Sequence, residues 1–165
     1  MAMTLVETIT VGSGGAASVE FTGIPGTGLE LLFLYSLRST QSQDIDCFIE
    51  INADETTSNY FQALLEGTGS GVRTEANSAR AFGRITGSGN TANTFCNGSA
   101  VFSNYTGTSR LTASILNVTE NNATNARQQI QFLEYDNSAP MTQAKIFPAD
   151  GILTEHSTAS LYIIS

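Results

Sequence analysis

The sequence predicts an all-β fold: a single-domain antiparallel β-sandwich, jelly-roll-like, of roughly ten strands spanning residues 1–165. Three observations carry that expectation. Gly, Ser, Thr and Asn supply 65 of the 165 residues, whereas charged residues are 13% and Trp is absent; this balance suits strand surfaces and turns rather than helices. Short apolar runs with period-two alternation recur at roughly 8–15-residue intervals, separated by turn-forming clusters. Long helical windows between strands are lacking, which excludes a doubly wound α/β fold. Only Thr57 to Leu65 comes near helical composition. A chain of this length buries roughly 70% of its unfolded surface and needs no covalent staple.

In order along the chain, Thr4 to Val11 alternates Leu5, Glu7, Ile9 and Val11 against Thr4, Val6, Thr8 and Thr10. Gly12 to Ala16 is a cluster of small residues, and Ser18 to Thr22 alternates again, so the first 25 residues read as a β-hairpin with Met1 to Met3 as an arm. Leu29 to Leu37 is apolar on both phases and reads as a central strand covered on both sides. Asp44 to Asn52 is a half-exposed strand with Asp44, Asp46, Phe48 and Glu50 on its outer face. Tyr60 to Gly67 reads as a strand, and Gly67 to Ser78 as an exposed glycine-rich loop unless a neighbouring chain holds it. Ala79 to Thr86 is a strand, and Gly98 to Tyr105 with Arg110 to Thr119 forms a second hairpin. After a turn cluster at Glu120 to Ala126, Arg127 to Asp136 offers Ile130, Phe132 and, less regularly, Leu133 and Tyr135 for burial. Thr142 to Phe147 is a short strand that Pro148 must end or place on an edge. The closing STASLYIIS is a strand expected to pair with the N-terminal one.

Charge and cysteine content narrow the function classes. The net charge is −8, with 15 acidic against 7 basic residues; phosphate backbones need clustered cations, so nucleic acid is excluded as a partner. The longest apolar run, Leu29 to Leu37, is too short to span a bilayer, and no basic-then-apolar leader pattern is visible, which points to synthesis in the cytosol with no membrane partner. Cys47 and Cys96 each lie beside Phe in apolar text and read as small buried hydrophobes, although a disulfide is possible.

No stretch spells out a reaction. The GSGG at Gly12 lacks the Lys-Ser/Thr ending of a phosphate loop and precedes a strand. His156 is the one histidine, so it makes no zinc site, and no G-x-S-x-G elbow accompanies it. Asp44, Asp46, Glu50, Asp54 and Glu55 could be imagined around calcium, but they lack the spacing of a calcium loop and read as a solvated strand face. A carboxylate pair for glycoside hydrolysis lacks any Trp platform. Sequons at Asn97, Asn104, Asn117 and Asn122 follow from composition alone. Arg73, Arg80 and Arg84 are the one local excess of positive charge. They read as solvated arginines paired with Glu66 or Glu75, or as guanidinium forks on a loop that clasps a second chain.

The phrases ETITVGSGGAASVEFTGIP, NADETTSNY, TANTF, ENNATNA and EHSTASLYII resemble, nearly end to end and in the same order, small structural proteins of tailed bacteriophages, especially those of marine bacteria and cyanobacteria. The resemblance implies a non-enzymatic virion component without cofactor. It would be a capsid decoration (cement) protein, often a homotrimer, bound to the major capsid protein on the outer shell. A receptor- or carbohydrate-binding module associated with a tail fibre is the alternative, and a glycan hydrolase a distant third.

Overall fold

The computed structural model describes residues 2–119, 126–136 and 138–165. Met1, Asn122 and most of the turn cluster expected at Glu120 to Ala126 lie outside them. The described residues form twelve strands: β1 (Met3–Thr10), β2 (Val19–Thr22), β3 (Glu30–Leu37), β4 (Ile45–Ile51), β5 (Tyr60–Thr68), β6 (Gly71–Asn77), β7 (Ala81–Ile85), β8 (Cys96–Ser103), β9 (Leu111–Thr119), β10 (Arg127–Tyr135), β11 (Gln143–Pro148) and β12 (Thr158–Ile164). They pair antiparallel into an eight-stranded sheet, β1-β12-β3-β8-β9-β10-β5-β6, and a four-stranded sheet, β2-β11-β4-β7. The protein is a β-sandwich, as the composition and spacing predict.

The two chain ends pair as expected: Met3 stands opposite Ile164, and the backbones of Ala2 and Ser165 exchange hydrogen bonds of 2.7 and 3.0 Å. Met3 therefore belongs to a strand rather than to a free arm. The N-terminal hairpin does not form. β1 and β2 belong to different sheets, and the glycine cluster carries the chain across the edge of the sandwich. Gly14 and Gly15 take φ of +97° and +77°, and a Cβ on Gly15 would sit 2.6 Å from the Leu153 carbonyl. That contact is needed because Ala16 and Leu153 bridge through both backbone hydrogen bonds, 3.0 and 2.8 Å. Alternation identifies a strand without naming its partner, and β12 satisfies β1 as well as β2 would have. A register shift between Leu5 and Glu7 also changes the phase of β1, so Leu5 is exposed while Val6 and Ile9 pack on the core.

The core lies between the sheets around Phe33, which meets Phe21, Phe82 and Phe102 at centroid distances of 5.6, 6.1 and 5.3 Å, all edge-on. β3 is internal to its sheet, but only Leu31, Phe33, Tyr35 and Leu37 are buried. Leu32 and Leu34 face out because the four-stranded sheet lies on one side alone, which corrects the expectation of two covered faces. β8 and β9 form the expected hairpin, and Pro148 ends β11 rather than marking an edge. Arg38, with 7% of its surface exposed, donates from its guanidinium to the carbonyls of Ser88, Asn90, Thr91 and Thr94 and so holds the segment that leads into β8.

Tyr35 lies against β8 where a side chain on Gly98 would place Cβ 2.0 Å from the ring. The ring cannot swing away freely, since its hydroxyl donates to the Phe82 carbonyl at 3.1 Å and accepts from Asn117 at 3.3 Å. Gly98→Ala should therefore lower stability by about 1–3 kcal/mol through overpacking, read as a lower urea midpoint at an unchanged denaturant slope.

Candidate functional site

Strands β9, β10 and β5 lie side by side, and part of each turns its polar residues inward. On β10, Gln129, Gln131, Leu133 and Tyr135 are buried, while Ile130 and Phe132 are 51% and 39% exposed. This reverses the burial expected for Ile130 and Phe132. β9 buries Asn117 and Thr119 and exposes Leu116 and Val118; β5 buries Gln62 and Glu66 and exposes Phe61 and Leu65. Pairing is in register across all three, so the outward residues align. One row of the outer face runs from Thr8 through Leu34, Leu116 and Ile130 to Thr74. A second runs from Leu5 through Tyr162, Leu32 and Phe132 to Ala76, and a third from Thr10 through Asn97, Val118 and Gln128 to Val72. Each row crosses all eight strands, and none of the three contains a charged residue. Of the eleven exposed large hydrophobics among the described residues, all but Leu29 stand on this face.

The inward polar groups are held by one another. Glu66, 1% exposed, accepts from Gln129 at 2.8 Å and from Arg127 at 3.1 Å. Gln131 donates to Gln62 at 3.0 Å and to the Ala81 carbonyl at 2.6 Å, and Gln62 donates to Asn77 at 2.9 Å. The buried amides and carboxylate thus fix the register of β5 and β10 against β7 without supplying apolar area. The sequence signal for this arrangement is the change of phase inside one strand, Ile130 and Phe132 on one phase and Leu133 and Tyr135 on the other.

The three arginines lie apart, each beside an acid of its own chain. The segment expected as a loop from Gly67 to Ser78 is largely strand: β6 pairs residue by residue with β5 of its own chain, so no neighbouring chain is needed to order it, and forms the exposed edge of the large sheet. Arg73 on that edge pairs with Glu75. Arg80 bonds Glu50 at 2.6 Å and lies over Phe147, 5.5 Å from its centroid. Arg84 donates to the Asp44 carbonyl at 3.1 Å and faces Asp46 at 3.5 Å. Glu66, expected as a partner of these arginines, is taken by Arg127 instead. All three guanidinium groups are thus engaged within their own chain.

The acids are likewise dispersed. Glu50 is clamped between Arg80 and Lys145, the latter at 2.9 Å. Asp54 accepts from Thr56 (2.8 Å), Asn59 (2.7 Å) and Tyr135 (3.0 Å), tying down the turn at Thr57–Asn59. Burial alone would raise Asp54, but these donors outweigh it and hold the carboxyl below its ordinary range. Among the described residues no three His, Cys, Asp or Glu side chains converge as a metal-binding group.

Asp44, Arg84 and Arg127 line a polar cleft of about 290 Å³ with Ser42, Gln43 and Asn90. Its charges compensate one another, Asp44 lying 3.7 Å from Arg127 and Arg84 beside Asp46. Cys47 and Cys96 are buried free thiols. Burial pushes both upward, Cys96 to about 12, so neither offers a thiolate nucleophile at neutral pH. His156 is exposed on the turn before β12, where its backbone N–H bonds the Val11 carbonyl at 2.9 Å. No protein-family model matches the chain, and no curated protein matches it. The feature with the greatest extent and the least internal satisfaction is the outer face of the large sheet.

Arg80 and Arg73 should separate on truncation. The Arg80 and Glu50 side chains are 20% and 7% exposed, so Arg80→Ala should cost about 1–2 kcal/mol, below the value for a fully buried pair because water reaches the guanidinium. The Arg73 side chain is 48% exposed, and Arg73→Ala should stay within about 0.5 kcal/mol, both read from urea midpoints. Asp54 sets a pH dependence. A carboxylate with a depressed folded pKa adds stability above its unfolded value near 4 and loses it as pH falls through the folded value. The drop in urea midpoint from about pH 6 to about pH 3 should therefore be smaller in Asp54→Asn than in the unsubstituted protein.

Proposed function

We propose that this chain is a non-enzymatic structural protein of a tailed-phage virion, a capsid decoration protein that binds the outer shell as an oligomer and stabilises it. The observation that carries the reading, through its oligomeric part, is the uncovered outer face of the eight-stranded sheet with its three uncharged rows. Exposed apolar area on this scale marks a surface that works covered. The end-to-end resemblance to small phage structural proteins supplies the setting. Function of this kind is mechanical: area buried across neighbouring subunits opposes expansion or bursting of the shell, and linked copies multiply modest contacts by avidity. The polar groups fit this role, because their ion pairs and hydrogen bonds are spent on holding the sandwich.

The reading predicts hundreds of copies per purified particle by quantitative mass spectrometry, and lower heat tolerance in particles lacking the protein. A handful of copies at the tail, together with binding on a sugar array, would move the chain to the tail-fibre class instead.

A further inference from the structure

We infer that the outer face of the eight-stranded sheet is covered by a second copy of this chain, packed face to face about a two-fold axis. The inference rests on the reading above and names the partner of that same surface. Size comes first. Eight strands at about 4.8 Å spacing by three rows about 6.8 Å apart outline about 800 Å², and a standard stable interface takes about 800 Å² from each partner. The face is therefore large enough for one complete dimer contact.

Charge selects the partner. The three rows contain no charged residue in a chain that carries 15 acids and a net −8. Within these rows two copies can meet without setting carboxylate against carboxylate, and at the border Glu134 is paired with Arg110 while Glu30 accepts from Ser103 at 3.0 Å. Depletion of charge at the centre with charge at the margin is the composition of an interface core and rim.

Symmetry follows from what the outer side of the small sheet carries. The three-fold ring implied by the resemblance is a heterologous contact, and it would need a second patch complementary to the first. The outer side of the four-stranded sheet carries Glu20, Asp46 and Lys145 around the half-buried Phe48–Phe147 pair, and these charges do not complement neutral rows. An isologous pair needs only the one face. Along the rows, Leu116, Ile130 and Leu65 stand side by side as a ridge, while Phe132 lies between small Ser114 and Ala63 and Ser99 lies between Leu34 and Leu116, so each copy has knobs and hollows for the other. Sheets packed this way lie about 10 Å apart.

Sedimentation equilibrium on the purified full-length chain at about 10 μM, a range in which interfaces of this size associate, should give twice the chain mass. A monomer or a trimer would overturn the inference. Leu116→Lys combined with Ile130→Lys should give a monomer with unchanged circular dichroism, its dimer dissociation constant raised about 100-fold or more. Leu29→Lys, off the face, should remain dimeric. Ser114→Arg removes no apolar contact within the chain and replaces the double variant if that one fails to fold. A dimer that persists through these face substitutions would refute the assignment. So would a monomer that binds empty capsids, or phosphatidylcholine vesicles, through the same residues. Failure here is separable from failure of the function: monomers present at hundreds per particle would overturn the pairing alone, whereas dimers absent from particles would support it and remove the capsid role.

Discussion

Four strands cannot cover both faces of eight. The small sheet lies on one side of the large sheet, and the core around Phe33 accounts for that side. The other side remains as a plane of backbone-paired strands whose outward residues are chosen without reference to the small sheet. Much of what distinguishes this chain follows from that mismatch. Leu32 and Leu34 lie outside on an internal strand, and Ile130 and Phe132 outside next to buried glutamines. A strand offers one face to each side, so burying Gln129 and Gln131 necessarily displays Ile130 and Phe132.

The buried polar groups make the second half of the pattern coherent. Amides and carboxylates inside a sandwich are costly unless their partners are complete, and satisfied networks restrict register more tightly than apolar packing does. Beside β7, Glu66, Gln62 and the amide donors of Gln129 and Gln131 are partnered in this way, whereas the Oε1 atoms of Gln129 and Gln131 are buried without a hydrogen-bond partner. Arg38, Glu50 and Asp54 do the same for loops, each drawing several backbone or side-chain groups to one point. With charge gathered inside and along the small sheet, three of the large sheet's outer rows are neutral. The sandwich thereby combines a strongly acidic whole with three charge-free rows on one face, with Glu30 and Glu134 at their border.

Most strands are legible in the sequence because period two is a local property. The alternation of Ile45 to Ile51, the apolar run at Leu29 to Leu37 and the TGTS turn between β8 and β9 each need only a few residues to be read. The closing pair of terminal strands is also legible, from two apolar ends. Less legible is β6, whose Gly71–Asn77 carries almost no apolar signal and is ordered by the ladder to β5. The candidate face was hidden for a related reason: Leu116, Ile130 and Phe132 are the residue types that a core requires, and nothing local tells an inner apolar face from an outer one.

Composition and short-range periodicity therefore account for the all-β class, the strand positions and the poverty of catalytic chemistry in the text, since backbone preference and alternation act within a few residues. Three matters needed the folded chain. The glycines at Gly12 to Gly15 cross between sheets instead of closing a hairpin, Arg80 and Arg84 turn to their own chain, and β10 points its glutamines inward. Each depends on which distant strand supplies the partner. Strand pairing joins residues far apart in sequence, and a shift of one residue exchanges the two faces, so the choice of partner and register settles what is buried and what is left to meet another molecule.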